Sequence, residues 1–228
     1  MKKIFTLIEL FIVISVIAIL AGMLLPALQK AKASVLQVNC ASNLSNIIKA
    51  FHYYIQDHHD YMPPYRDYGT PENWWNNTGK TGLLFPYLHN TAVIGRSIDG
   101  NGRAGKLYCP AESELAARQS TYGYNSFLYQ NLQDNKFSQF KRPSVCVVTG
   151  DSGIGKAILS ARFSATIYGG AFGIPHNRKG VFAFADGHVA TLEYRKIPNI
   201  DVNYRAPYNA FWCPFPVPEY ENWYNIEF

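Results

Sequence analysis

The sequence predicts an α+β protein, with a long kinked N-terminal helix packed on an antiparallel β-sheet and long loops between the strands. Three observations predict it. Residues 4–28 form a nearly unbroken apolar run, residues 36–55 carry apolar side chains at helical spacing, and residues 181–192 read as a β-hairpin.

Of the 25 residues from Ile4 to Leu28, 20 are apolar, and Glu9 carries the only charge. About 20 such residues span a hydrocarbon core of ~30 Å. A cleaved secretory signal would use Lys2 and Lys3 as its basic start and Ala31-Lys32-Ala33 as its cleavage site. Its apolar core, however, exceeds the usual length of about 7–15 residues and contains Glu9. A plain anchor leaves Glu9 unexplained, because a carboxylate in hydrocarbon costs roughly 2.5–3.5 kcal/mol and calls for a partner. Pro26 removes one helical hydrogen bond and predicts the kink. Lysines flank the run on both sides (Lys2 and Lys3, then Lys30 and Lys32), so charge alone does not orient it.

After the run, Leu36, Cys40, Leu44, Ile47, Phe51 and Ile55 recur at three- and four-residue steps, which predicts an amphipathic continuation over residues 29–60. One helix from about Phe5 to His58 would be roughly 80 Å long, ending at Asp57-His58-His59-Asp60 before Pro63-Pro64. Residues 61–228 form the outer, β-rich domain. Its first part, to about residue 110, is rich in Gly, Pro and Asn and reads as loops with short strands. A strand is expected over Ser144–Thr149, and a hairpin over 180–194, where Asp186-Gly187 separates two β-rich runs. A two-residue type I′ loop there pairs Phe184 with Val189 and Ala183 with Ala190. Both faces of the hairpin are apolar, which places it inside a sheet.

Composition narrows the function classes. The 228 residues are 48% apolar, 16% charged and carry a net charge of +5. Wholesale disorder is excluded by the apolar content, and no Lys/Arg stripe marks a nucleic-acid partner.

Lys2-Lys3-Ile4 followed by Phe5-Thr6-Leu7-Ile8-Glu9-Leu10 resembles the prepilin cleavage and methylation motif of type IV pilins and type II secretion pseudopilins. The resemblance implies that a prepilin peptidase cuts between Ile4 and Phe5 and methylates the amine of Phe5. Residues 1–4 are then the leader, 5–28 the transmembrane and filament-core helix, and the outer domain lies in the periplasm or on an extracellular filament. Glu9 becomes the fifth residue of the mature chain, where it can pair with a neighbouring subunit's N-terminal ammonium and so offset its burial. Pro26 matches a proline of the family's helices. Ile4 stands where the family usually has Gly.

A second pattern, His176, nine intervening residues, then Asp186-Gly187, resembles the H-X9-DG class of prepilin-like proteins. Cys40 to Leu44 with Ile47, Asp60-Tyr61 before the prolines, Cys109-Pro110 and Tyr122-Gly123-Tyr124-Asn125 are similar to the same class. The role of the pattern is unknown. Four cysteines (Cys40, Cys109, Cys146, Cys213) allow three full disulfide pairings, and the resemblance favours Cys40 with Cys109.

The remaining chemistry is weighed against plainer roles. Asp186, with backbone carbonyls, is a weak candidate for Ca2+, which needs six to eight oxygens. The plainer expectation is that Asp186 serves its turn while His176 hydrogen-bonds the hairpin backbone. Zinc is disfavoured because no C-x-x-C spacing occurs. Gly150 to Lys156 nearly matches a phosphate-binding loop, but Ala157 replaces the Ser or Thr that would hold Mg2+. Gly150-Asp151-Ser152-Gly153 resembles a serine-protease nucleophile segment, but His52, His58 and His59 lie on the helix or at its end and supply no triad. The expected role is a turn after a strand, with Asp151 and Ser152 bonding within it. Adjacent residues of a helix point about 100° apart, so Asp57 to Asp60 read as a solvated helix end rather than a metal cluster.

The expected function is therefore that of a non-enzymatic pilin-like subunit without a cofactor. Its partners are the prepilin peptidase, other pilin-like subunits and inner-membrane lipid. The alternative is a surface-displayed module that binds glycans or substrates through the aromatic tail (Trp212, Trp223, Tyr224), with the helix as its stalk.

Overall fold

The computed structural model describes residues 6–64, 76–77, 80–88, 109–111, 122–125, 127–128, 136–152, 158–159, 174–198 and 209–214. Ile4, Phe5, Trp223 and Tyr224 lie outside them.

Helix α1 runs from Leu7 to Asp57, 51 residues or roughly 75 Å. Thr6 caps it. Its backbone N–H and hydroxyl donate to the Glu9 carboxylate at 2.8 and 2.7 Å, and the Glu9 amide donates back to the Thr6 hydroxyl at 3.4 Å. This capping box satisfies amide donors that the first helical turn leaves over. Pro26 lies inside the continuous helix. At the far end the chain leaves through His59 and Asp60, both in the left-handed region (φ 52° and 73°). The Asp60 carboxylate accepts the Ser138 amide, and Tyr54 stacks on His58.

The helix has two unlike halves. From Leu7 to Leu28 its large apolar side chains are exposed, and this half is long and apolar enough to cross a membrane. From Cys40 onward one face is buried, comprising Cys40, Leu44, Ile47, Ile48, Ala50, Phe51, Tyr54 and Ile55. Side chains of this size each contribute roughly 1.5–3 kcal/mol on full burial, far more than helix propensity supplies.

That face lies against a five-stranded sheet, mainly on the inner strand of its C-terminal hairpin. A two-residue ladder of β1 (Asn76–Asn77) and β2 (Lys80–Thr81) stands apart from it. The sheet comprises β3 (Tyr122–Asn125), β4 (Val147–Asp151), β5 (Ile158–Leu159), β6 (Lys179–Phe184) and β7 (Val189–Glu193), in the order β5-β3-β4-β6-β7. Four strands are antiparallel, and short β5 joins β3 in parallel. β4 starts later than the sequence suggests because Arg142 accepts the amides of Val145 and Cys146, winding residues 142–146 into a turn first.

Both faces of the sheet are covered. Val181, Ala183, Ala185, Val148, Tyr122 and Tyr124 pack toward α1. Phe182, Phe184 and Val147 pack on the opposite side with Ile197, Phe211 and Trp212. Trp212 is fully buried and donates its indole N–H to the Pro198 carbonyl at 2.6 Å. Asn125 ties the layers together, donating to the carbonyls of Val147 and Trp212 and accepting the Phe127 amide.

The hairpin forms, but one residue out of the expected register. Ala183 pairs with Val189 and Phe182 with Ala190. The loop holds three residues rather than two. The Gly187 amide donates to the Phe184 carbonyl, the Phe184 amide to the His188 carbonyl, and in this loop only Gly187 takes a positive φ, of 96°. This is a type I turn closed by a glycine bulge, the second favoured hairpin solution. The type I′ turn falls instead at the other end of β6. There His176 and Lys179 exchange both backbone hydrogen bonds around Asn177 and Arg178, at φ 52° and 64°. β6 is interior, whereas β7 is an edge strand and only half-buried.

Gly150 marks the tightest packing. A Cβ there would run into Phe182 Cδ1 and lie 2.9 Å from the Val181 carbonyl oxygen. Gly150→Ala should therefore cost about 1–3 kcal/mol and lower the melting temperature of the detergent-solubilised chain. Gly22→Ala, with nothing within 4 Å, should leave it unchanged.

Candidate functional site

The described residues contain one convergent group of metal-type or nucleophilic side chains, namely Cys40, Cys109, Asp151 and His176. All four are buried, and their ligand-type atoms lie within 4.8 Å of one another.

Four separate elements deliver them. Cys40 opens the buried stripe of α1, Cys109 begins the segment before Pro110, Asp151 ends β4, and His176 is the first residue of the type I′ turn before β6. The sulfurs of Cys40 and Cys109 are 2.7 Å apart as thiols. Cys109 Sγ lies 3.4 Å from His176 Nε2, which is 3.5 Å from Asp151 Oδ2. The same carboxylate oxygen accepts the Val181 amide at 2.7 Å.

Contact between the two thiols pushes their acidities in opposite directions, Cys40 down and Cys109 up. Hydrogen bonding with Cys109 is the main influence and pulls Cys40 down to about 6 against the cost of burial, helped by His176 and Tyr122. Cys109 is driven up by the same contact, by burial and by the Asp151 charge. Burial likewise raises Tyr122, whose hydroxyl borders Cys40 and receives a 3.4 Å contact from Asn43. Cys146 and Cys213 are buried thiols elsewhere. Burial pushes Cys146 up and Cys213 up to about 12.

The expectations sort clearly against this geometry. Cys40 and Cys109, the pair favoured by resemblance, do meet. Asp151 is no turn residue, because its carboxylate points into the buried group. The absence of C-x-x-C spacing did not exclude a metal-type cluster, since the ligands converge from distant segments. His176 uses its backbone for the turn, as a hairpin residue does, but its ring joins the cysteines.

His176 and Asp186 do not meet, because they flank opposite ends of β6. Asp186 belongs to no metal-type cluster among the described residues. Its Oδ1 accepts the His188 amide at 3.1 Å and lies 2.6 Å from His188 Nδ1. Burial raises this carboxyl, but the bonds from His188 outweigh it and hold Asp186 below the usual range.

Chemically, the four-residue group can hold a metal ion or a redox-active thiol pair. Cys40 and Cys109 are both fully buried. No protein-family model matches the chain, and neither a curated protein nor a solved structure is detectably similar to it.

Beneath the Asp186-Gly187 turn lies His52 of α1. Its Nε2 would be 3.4 Å from a Cβ at Gly187 and is buried without a hydrogen bond, and its ring meets Phe137 edge-on. Burial holds the pKa of His52 below its ordinary value, with the Asp186 charge opposing. The folded state therefore keeps His52 neutral where the unfolded chain, with a pKa of about 6.5, takes up a proton. His52 lowers stability as pH falls below about 6.5, until its folded form also protonates. Melting in detergent from pH 7.5 to 5 should show this loss, and His52→Gln should flatten it. An unchanged slope would refute the assignment.

Proposed function

We propose that this protein is a non-enzymatic pilin-like subunit of a type II secretion-like or type IV pilus-like filament, held in the inner membrane by its N-terminal helix before assembly. One observation carries the reading. A single helix buries one half on its own sheet and leaves the other half, apolar and beginning two residues before Glu9, without a partner among the described residues. A membrane satisfies that half in the free subunit, and the helices of neighbouring subunits satisfy it in a filament.

The capping box refines the role of Glu9. Cleavage between Ile4 and Phe5 would leave Thr6 as the second residue of the mature chain, so the box survives processing. Within one subunit Glu9 caps its own helix. In a filament the charge of the same carboxylate attracts the neighbour's ammonium, which sets the axial register. The display-module alternative draws no support from Trp212, whose indole is inside the core.

The test separates charge from capping. Glu9→Gln keeps an acceptor for Thr6 and loses the charge, whereas Glu9→Ala loses both. Both variants should insert into the membrane like the native chain and form no filaments. The native subunit should begin at N-methyl-Phe5 by mass spectrometry. Normal filaments from either variant would sink the register role, and a mature start near Ser34 would replace the anchor with a secretory signal.

A further inference from the structure

We propose that Cys40, Cys109, Asp151 and His176 form a structural Zn2+ site that fastens the outer domain to α1. This goes beyond filament assembly and does not depend on it.

The donor set fits the ion. Two thiolates, one imidazole and one carboxylate are ordinary zinc ligands, and four protein ligands with no open position define a structural rather than a catalytic site. The thiolates disfavour Mg2+ and Ca2+, which take oxygen ligands. Distances agree on the nitrogen and oxygen side. Tetrahedral zinc with ordinary bond lengths places sulfur about 3.5 Å from nitrogen, and nitrogen about 3.3 Å from oxygen. The corresponding separations here are 3.4 and 3.5 Å. The sulfurs, at 2.7 Å, must open by about 1 Å to reach the tetrahedral separation.

The groups behind these ligands are those a metal site uses to orient them. The Val181 amide holds the Asp151 oxygen that faces His176, and the Tyr122 hydroxyl borders Cys40. Such outer contacts fix ligand geometry and tune the metal. A Cys40–Cys109 disulfide accounts for two of the four groups and leaves the fully buried Asp151 carboxylate with His176 and the Val181 amide. A divalent ion uses all four and offsets that buried charge.

The experiment uses the full chain, purified in detergent from cells supplied with zinc. Metal content is measured by mass spectrometry, and thiol state by non-reducing peptide mapping. One zinc per chain, with Cys40 and Cys109 unbridged, is the expected result. Chelator treatment should lower the melting temperature and added zinc should restore it. Exchange for Co2+ should give a thiolate-to-cobalt charge-transfer band. Asp151→Asn keeps an acceptor for Val181 and should weaken zinc at least tenfold, and His176→Ala should do the same. If either variant fails to fold, the cobalt spectrum of the native chain decides. A metal-free chain carrying a Cys40–Cys109 disulfide would overturn the proposal, as would full zinc retention by both variants or a cobalt spectrum lacking the thiolate band.

Discussion

The structure depends on the burial of one helical face, from Cys40 to Ile55, against the sheet. A continuous α-helix satisfies its own backbone hydrogen bonds, so it can pass from one environment into another without breaking. α1 does this along its length. Leu44, Ile47 and Phe51 are fully buried in the domain, while Leu7 to Leu28 stay uncovered. The domain fixes the direction of the rod, and the rod carries an apolar half that none of the described residues covers. That surplus is the physical basis for reading the protein as an anchored, assembling subunit.

The sheet must in turn be apolar on both sides. α1 covers one face, and the segment containing Ile197, Phe211 and Trp212 covers the other. β6 therefore alternates between two cores, with Val181 and Ala183 toward the helix and Phe182 and Phe184 away from it. Gly150 lets β4 approach Phe182 closely. The tail aromatics, an alternative binding platform by sequence, fill the second core at Trp212.

Much of the architecture was legible because it rests on periodicity. Three- and four-residue spacing located the buried stripe of α1, and the Asp-Gly turn located the hairpin. Register was not legible, because Asp-Gly fits both a two-residue turn and a three-residue loop with glycine at the bulge. The choice is settled by which faces of β6 meet α1 and the aromatic core. The Thr6-x-x-Glu9 capping box is a legible helix-start signature that coexists with an intersubunit role for Glu9. The buried cluster had no such signature. Cys40 and Cys109 are 69 residues apart, and Cys109 and His176 are 67 apart, so only the folded topology joins them. Asp151 was masked by a glycine-rich context that reads as a turn, although it is the last residue of an interior strand.

The H-X9-DG spacing has a geometric meaning in this fold. His176 and the Asp186-Gly187 turn bracket β6. The first turn brings its histidine to Cys40, and the second rests on His52. Twelve residues of helix between Cys40 and His52 rise about 18 Å, and a six-residue strand spans about 20 Å. The motif thus matches one strand to a little over three turns of α1 and touches the helix at both ends. A one-residue change in the length of β6 would flip its inward side chains to the other core and draw either His176 off the cysteines or Gly187 off His52. Sliding the helix has the same effect, because each residue of slip moves Cys40 by about 1.5 Å. Cluster geometry, strand length and helix docking therefore form one constraint, and the position of the protruding apolar half relative to the domain follows from it.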